Sequence, residues 1–112
     1  MIFVPDIKKN ILKKLKNEHV FWSHESAKIN VRNISDELLI QKTLIHLDIE
    51  DIDLLFYYYK YDFIKKVWRE HMAIQGNYLR TLNRFLAWYY FDIKKPDRYL
   101  KTIETKHLKQ YD

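Results

Sequence analysis

Residues 64–89, IKKVWREHMAIQGNYLRTLNRFLAWY, decide the fold. Ile64, Val67, Trp68 and His71 stand at i, i+3, i+4 and i+7, and Leu82, Phe85, Leu86 and Tyr89 repeat that spacing. A strand, whose side chains alternate, cannot bring such a set to one face, whereas an α-helix does so every turn. Between the two rows lies Ala73-Ile74-Gln75-Gly76, a short turn with the chain's one glycine where a helix end favours it. The stretch therefore predicts helix, four-residue turn, helix.

Working outward, Ile52, Leu55, Phe56 and Tyr59 show the same spacing and predict a further helix. Ahead of it, another helix begins near Ser35, where Ser35 and Asn33 are both good N-cap types, and Asp36 and Glu37 suit the positive end of a helix dipole. That helix runs through Leu38, Ile40, Leu44 and Leu47, and Asp48 breaks or caps it. A first helix follows Pro5, places Ile7, Ile11, Leu12 and Leu15 on one face, and ends near Asn17. Residues 19–25 and Ile29-Asn30-Val31 show no helical spacing and read as loop, with room for a short strand or a single turn. Beyond Phe91, residues 92–96 mark a boundary, and a last helix over 97–111 docks through Tyr99, Leu100, Ile103 and Leu108.

Together these readings predict one all-α domain over residues 1–112, with about five helices and a unit of helix-turn-helix spacing. A basic N-terminal helix spans about 5–17, a core about 20–91, and a helical tail about 97–111. Trp22 and Trp68 fall in or beside the core. A chain of 112 residues buries roughly 65% of the surface its unfolded form exposes, enough for one core.

Composition removes whole classes of function. One Gly cannot build the glycine-rich loops that cradle phosphates or dinucleotides. With no Cys there are no disulfides, thiolate nucleophiles or thiolate zinc sites. The apolar start is broken at once by Asp6, Lys8 and Lys9, so it does not read as a secretory signal, and no run of about 18 apolar residues predicts a membrane span. The expectation is a cytoplasmic protein. The five histidines, His19, His24, His46, His71 and His107, never pair at i+3 or i+4, so neither a metal nor a cofactor is expected. His71, on an apolar helix face, reads as a core or boundary histidine. Ser23-His24-Glu25-Ser26 has triad residue types, but neighbours in sequence cannot converge on one nucleophile. The acidic run Asp48, Glu50, Asp51 and Asp53 reads as a solvated helix start. No catalytic residues are assigned, no small-molecule substrate is expected, and the chain reads as a non-enzyme.

Two features point to binding. Tyr57-Tyr58-Tyr59-Lys60-Tyr61 and Trp88-Tyr89-Tyr90-Phe91 put aromatics all round a helix, so some cannot reach its own core. Tyr57, Tyr58, Trp88, Tyr90 and Phe91 are the candidate partner-binding residues, for a protein partner or a second copy of the chain. The other feature is charge. The sum is +5, yet positions 36–53 are acidic and both ends are basic. Asn77, Arg80, Arg84 and Trp88 share a helix face and could meet base edges, while Lys65, Lys66 and Arg69 could contact phosphate. DNA is thus the alternative partner.

Phe21-Trp22, Ile40 to Leu44, Tyr58-Tyr59, Ile64 and Thr81-Leu82-Asn83, read together, resemble a family of short bacterial proteins known as a domain of unknown function. The resemblance covers residues 20–91, with departures at Ser23, where the family has Asp, and at Lys60, where it has Gly. Its members look like antitoxin-side or regulatory components, some associated with nucleotidyltransferase-like toxins. The resemblance implies a binding module of antitoxin-like type and supplies no catalytic residues.

Overall fold

A computed structural model of the protein describes residues 4–18 and 28–109. His19, Phe21, Trp22 and the polar run at Ser23 to Ser26 lie outside the described residues, as do the side chains of Asn77 and Leu108. The chain is all-α: among the described residues there are six α-helices and no strand. They are α1 (Val4–Asn17), α2 (Asp36–His46), α3 (Ile49–Tyr58), α4 (Tyr61–His71), α5 (Arg80–Tyr89) and α6 (Pro96–Lys109), with a 3-10 segment, Ala73–Leu79, between α4 and α5. None of these helices is long and apolar enough to cross a membrane. Two compact units divide the chain, Met1–Ile64 and Lys65–Asp112, and the division falls inside α4.

In the first unit α1, α2 and α3 pack on one another. Ile7, Ile11, Leu12 and Leu15 make the buried stripe of α1 and meet a core of Leu39, Ile40, Leu44, Ile52 and Leu55. Each such side chain contributes about 1.5–3 kcal/mol on leaving water. Local chemistry sets the ends. Asn30 Oδ1 accepts from the Arg32 and Asn33 amides at 2.9 and 3.1 Å, while Asn33 Oδ1 accepts from the Asn30 amide at 2.8 Å, closing a reciprocal turn. Ser35 then caps α2, its Oγ accepting the Leu38 amide at 3.1 Å. Leu47 and Asp48 are extended, which stops α2 and restarts the chain as α3.

In the second unit the 3-10 segment packs on α5 and α6, and α5 packs on α6. Val67, Trp68, Met72, Leu86, Ala87, Phe91 and Leu100 are buried. Trp68 stacks with Phe91 at 4.7 Å and with Tyr99 at 6.0 Å between ring centroids. The chain leaves α5 through Asp92, whose φ of 51° is left-handed, and the Ile93 amide donates back to the Ala87 carbonyl at 2.9 Å. Pro96 opens α6, where its missing amide hydrogen costs nothing.

Several expectations need correction. The predicted four-residue turn is a seven-residue 3-10 segment, so α5 begins at Arg80 and Asn77 precedes it. Its i to i+3 bonding, as in Gln75 to Met72 at 3.0 Å, continues the helical path past Gly76. Gln75 Nε2 also donates to the His71 carbonyl at 2.7 Å, satisfying an end group of α4. His71 itself is exposed and so is Tyr89, which means both apolar rows end in solvent. Phe91, proposed above for partner binding, is buried against Trp68 and belongs to the core.

Candidate functional site

The second half of α5 carries an aromatic shelf. Phe85 and Tyr89, one turn apart, stack at 5.2 Å with their planes 14° from parallel. Tyr90 meets both edge-on, at 6.4 and 4.8 Å, and Trp88 leans on Tyr89 at 6.2 Å. Helical spacing produces this: residues 85 and 89 share a face, whereas 88 and 90 flank it. Leu86 and Ala87 turn inward to the core, so the remaining rings are pushed outward. Trp88 is 62% exposed and Tyr89 51%, a large outlay of apolar surface for a small unit. Tyr78, 84% exposed, adds another ring just ahead of α5.

Arg80, Arg84 and Trp88 follow one another at i, i+4 and i+8 along α5, a row roughly 12 Å long. Arg84 Nε donates to Asp97 Oδ1 at 3.0 Å, and Arg80 Nε lies 4.0 Å from the same oxygen. Both Arg84 and Asp97 are more than half exposed, so the pair is a surface one, worth at most about 1 kcal/mol. Asp97, in the first turn of α6, bonds the Arg84 guanidinium beside the shelf and lies at 4.0 Å from that of Arg80, burying neither.

Charge is divided unevenly between the units. Residues 65–112 carry eleven Lys and Arg against five Asp and Glu, while residues 1–64 carry nine against ten. The whole positive surplus therefore belongs to the unit with the aromatic shelf. On α6, Arg98, Lys101, Thr102, Thr105 and Lys106 border a shallow basic depression.

Of the other predicted residues, Tyr57 is 76% exposed and Tyr58 half-buried, both in the first unit, apart in sequence from the α5 set. Tyr90 is half-buried within the shelf. Lys66 and Arg69 are exposed and Lys65 half-buried on α4. Asn77 sits on the 3-10 segment, off the helix that was to present it. Sequence reading missed Tyr78, Tyr89 and Asp97. The first two are set by the 3-10 geometry and by the end of the apolar row, but Asp97 pairs across helices, which no spacing rule reveals.

The first unit holds two polar clasps. Tyr59 donates its hydroxyl to Asp36 Oδ1 at 2.5 Å, and Lys8 Nζ donates to the same oxygen at 3.3 Å. Burial, and then the bond to Asp36, push the Tyr59 phenol far above its ordinary 10.0, favouring the protonated hydroxyl that donates to Asp36. Lys14 Nζ donates to Asp51 Oδ1 at 2.5 Å, which compensates a carboxylate only 7% exposed. That bond, with the Asp51 charge, holds the Lys14 ammonium above its ordinary 10.5. Lys16 donates to the Ile29 carbonyl, while Lys9 and Lys13 are exposed, as is Lys14 beside its bond to Asp51. Among the described residues no three His, Asp or Glu side chains converge as metal ligands.

Compared with protein-family models, curated proteins and solved structures, the chain matches none.

Proposed function

We propose that the chain is a non-enzymatic interaction protein of an antitoxin-like or regulatory kind, acting in the bacterial cytoplasm, and that it docks a macromolecular partner through the exposed α5 shelf. The observation that carries the reading is the contrast between two aromatics three residues apart: Phe91 closes the core and Trp88 stays in water. Because Trp68, Phe91 and Tyr99 already fill the unit, Trp88 is not needed for packing. Exposed Trp and Tyr are favoured anchors, since they bury large area at small entropic cost.

The test is Trp88→Ala in light scattering coupled to gel filtration, alone and with a candidate partner. Loss of association with unchanged melting temperature supports the reading; equal loss of both returns Trp88 to the core. A second reading is a DNA-binding regulator that uses α4, the 3-10 segment and α5 as a helix-turn-helix-like unit. The basic surplus of residues 65–112 favours it, with Lys65, Lys66 and Arg69 as phosphate contacts.

A further inference from the structure

We infer that the partner of the α5 shelf is single-stranded nucleic acid, an inference that rests on the docking reading above and names the chemistry of what docks. Two independent features coincide on one unit. The rings of Trp88 and Tyr89 are exposed, and Tyr89 is held by its stack on Phe85, so a flat π-face is presented already ordered. The same unit holds the entire positive surplus, with Arg84 and Arg80 one and two turns before Trp88 in the same row. Stacking surfaces beside guanidinium groups are what unpaired bases on a phosphate backbone require, because every base has a π-face to offer.

A duplex fits less well. Its bases are already stacked on one another and cannot reach Trp88 or Tyr89. Base-edge reading in a groove would need Asn77 on the recognition helix, and it precedes that helix. The Arg84–Asp97 pair shows how the row takes an anion. A carboxylate occupies the guanidinium at 3.0 Å on an exposed surface, and a phosphate oxygen would replace it there. Asp97 thus acts as an internal competitor, tuning affinity downward.

The experiment is fluorescence anisotropy of labelled oligo-dT and oligo-U of about 15 nucleotides, beside a duplex of equal length. It uses the full chain at about 50 and 200 mM salt, with light scattering on the same samples. The inference expects at least one single strand to bind more tightly than the duplex, and comparison of the two separates DNA from RNA. Trp88→Ala should weaken that binding at least about fivefold, with circular dichroism and melting unchanged. Asp97→Asn should tighten it and steepen the slope of log affinity against log salt by roughly 0.7, the increment for one further phosphate on a single strand. Duplex binding as tight as single-strand binding, indifferent to Trp88→Ala, overturns the inference in favour of backbone tracking. If no oligonucleotide binds but the protein forms a dimer, or a complex with an acidic protein, that Trp88→Ala dissolves, the inference fails while the docking reading stands. No binding, no association and no effect of Trp88→Ala removes both.

Discussion

Trp68 Nε1 donates to Asn83 Oδ1 at 2.9 Å, and Asn83 Nδ2 donates onward to the Met72 carbonyl at 2.9 Å, with both side chains buried. One amide thus ties α4, the turn at Met72 ahead of the 3-10 segment, and α5 together inside the second unit. Replacing Asn83 with Leu leaves an indole N–H and a carbonyl without partners, at about 1–3 kcal/mol each. Asn83→Leu should therefore lower the unfolding free energy by about 2–5 kcal/mol in urea titration. A loss under about 0.5 kcal/mol would mean that water replaces the amide.

Trp88 and Phe91 should behave in opposite ways despite their short separation. Phe91→Ala opens a cavity beside Trp68 and should cost about 3–5 kcal/mol, whereas Trp88→Ala should change stability by less than about 0.5 kcal/mol. Thermal unfolding of both variants checks this, and similar losses would show that Trp88 packs as core.

Lys14 and Asp51 form a mixed pair, one partner exposed and the other buried. Lys14→Met removes the compensating charge from Asp51 and should cost about 1–2 kcal/mol, reduced from the fully buried case because water reaches the Lys14 side. The double variant Lys14→Met with Asp51→Leu should recover most of that loss. Failure to recover would mean that Asp51 has another essential partner.

Alkaline pH should weaken the first unit. Tyr59 and Lys14 both have folded pKa values raised above the ordinary 10.0 and 10.5. A raised value means that the folded state holds the proton more tightly. The stability gained is present in full below those ordinary values and is lost as pH climbs through and beyond them. Unfolding free energy should stay flat from pH 8 to about 9.5 and then fall, and Tyr59→Phe should flatten the fall. An unchanged alkaline limb in Tyr59→Phe would exclude the phenol as its source.

Asp92, at φ 51°, occupies a backbone region that suits Gly and tolerates Asp or Asn. Asp92→Gly should be neutral or stabilising by up to about 1 kcal/mol, and Asp92→Val should cost about 1–2 kcal/mol. Chemical denaturation of the pair decides it: equal stability of the two variants would mean that the left-handed turn is not retained in solution.

How much of this was legible in the sequence follows from the range of each interaction. The i, i+3, i+4, i+7 rows, the cap near Ser35 and the boundary at residues 92–96 are local signals, and they predicted the helices and the all-α class. The division between the units is not local: it falls within α4, where no Gly or Pro marks a linker. The aromatic candidates split for a similar reason. Trp88 and Phe91 are alike as residue types, and only the stack on Trp68 and the turn at Asp92 tell them apart. Arg80 and Arg84 could be read as one face from spacing, whereas their shared Asp97 lies on another helix.

The contrast between Trp68, wholly enclosed, and Trp88, mostly in water, makes the chain its own optical gauge. With Trp22→Phe removing the third indole, emission divides into a blue component from the interior and a red component from the surface. A collisional quencher such as acrylamide reaches the red component alone in the folded protein. Docking on α5 should dim or shield the red light and leave the blue untouched, while unfolding moves the blue into the red. Occupancy and integrity can then be followed in one cuvette without a label.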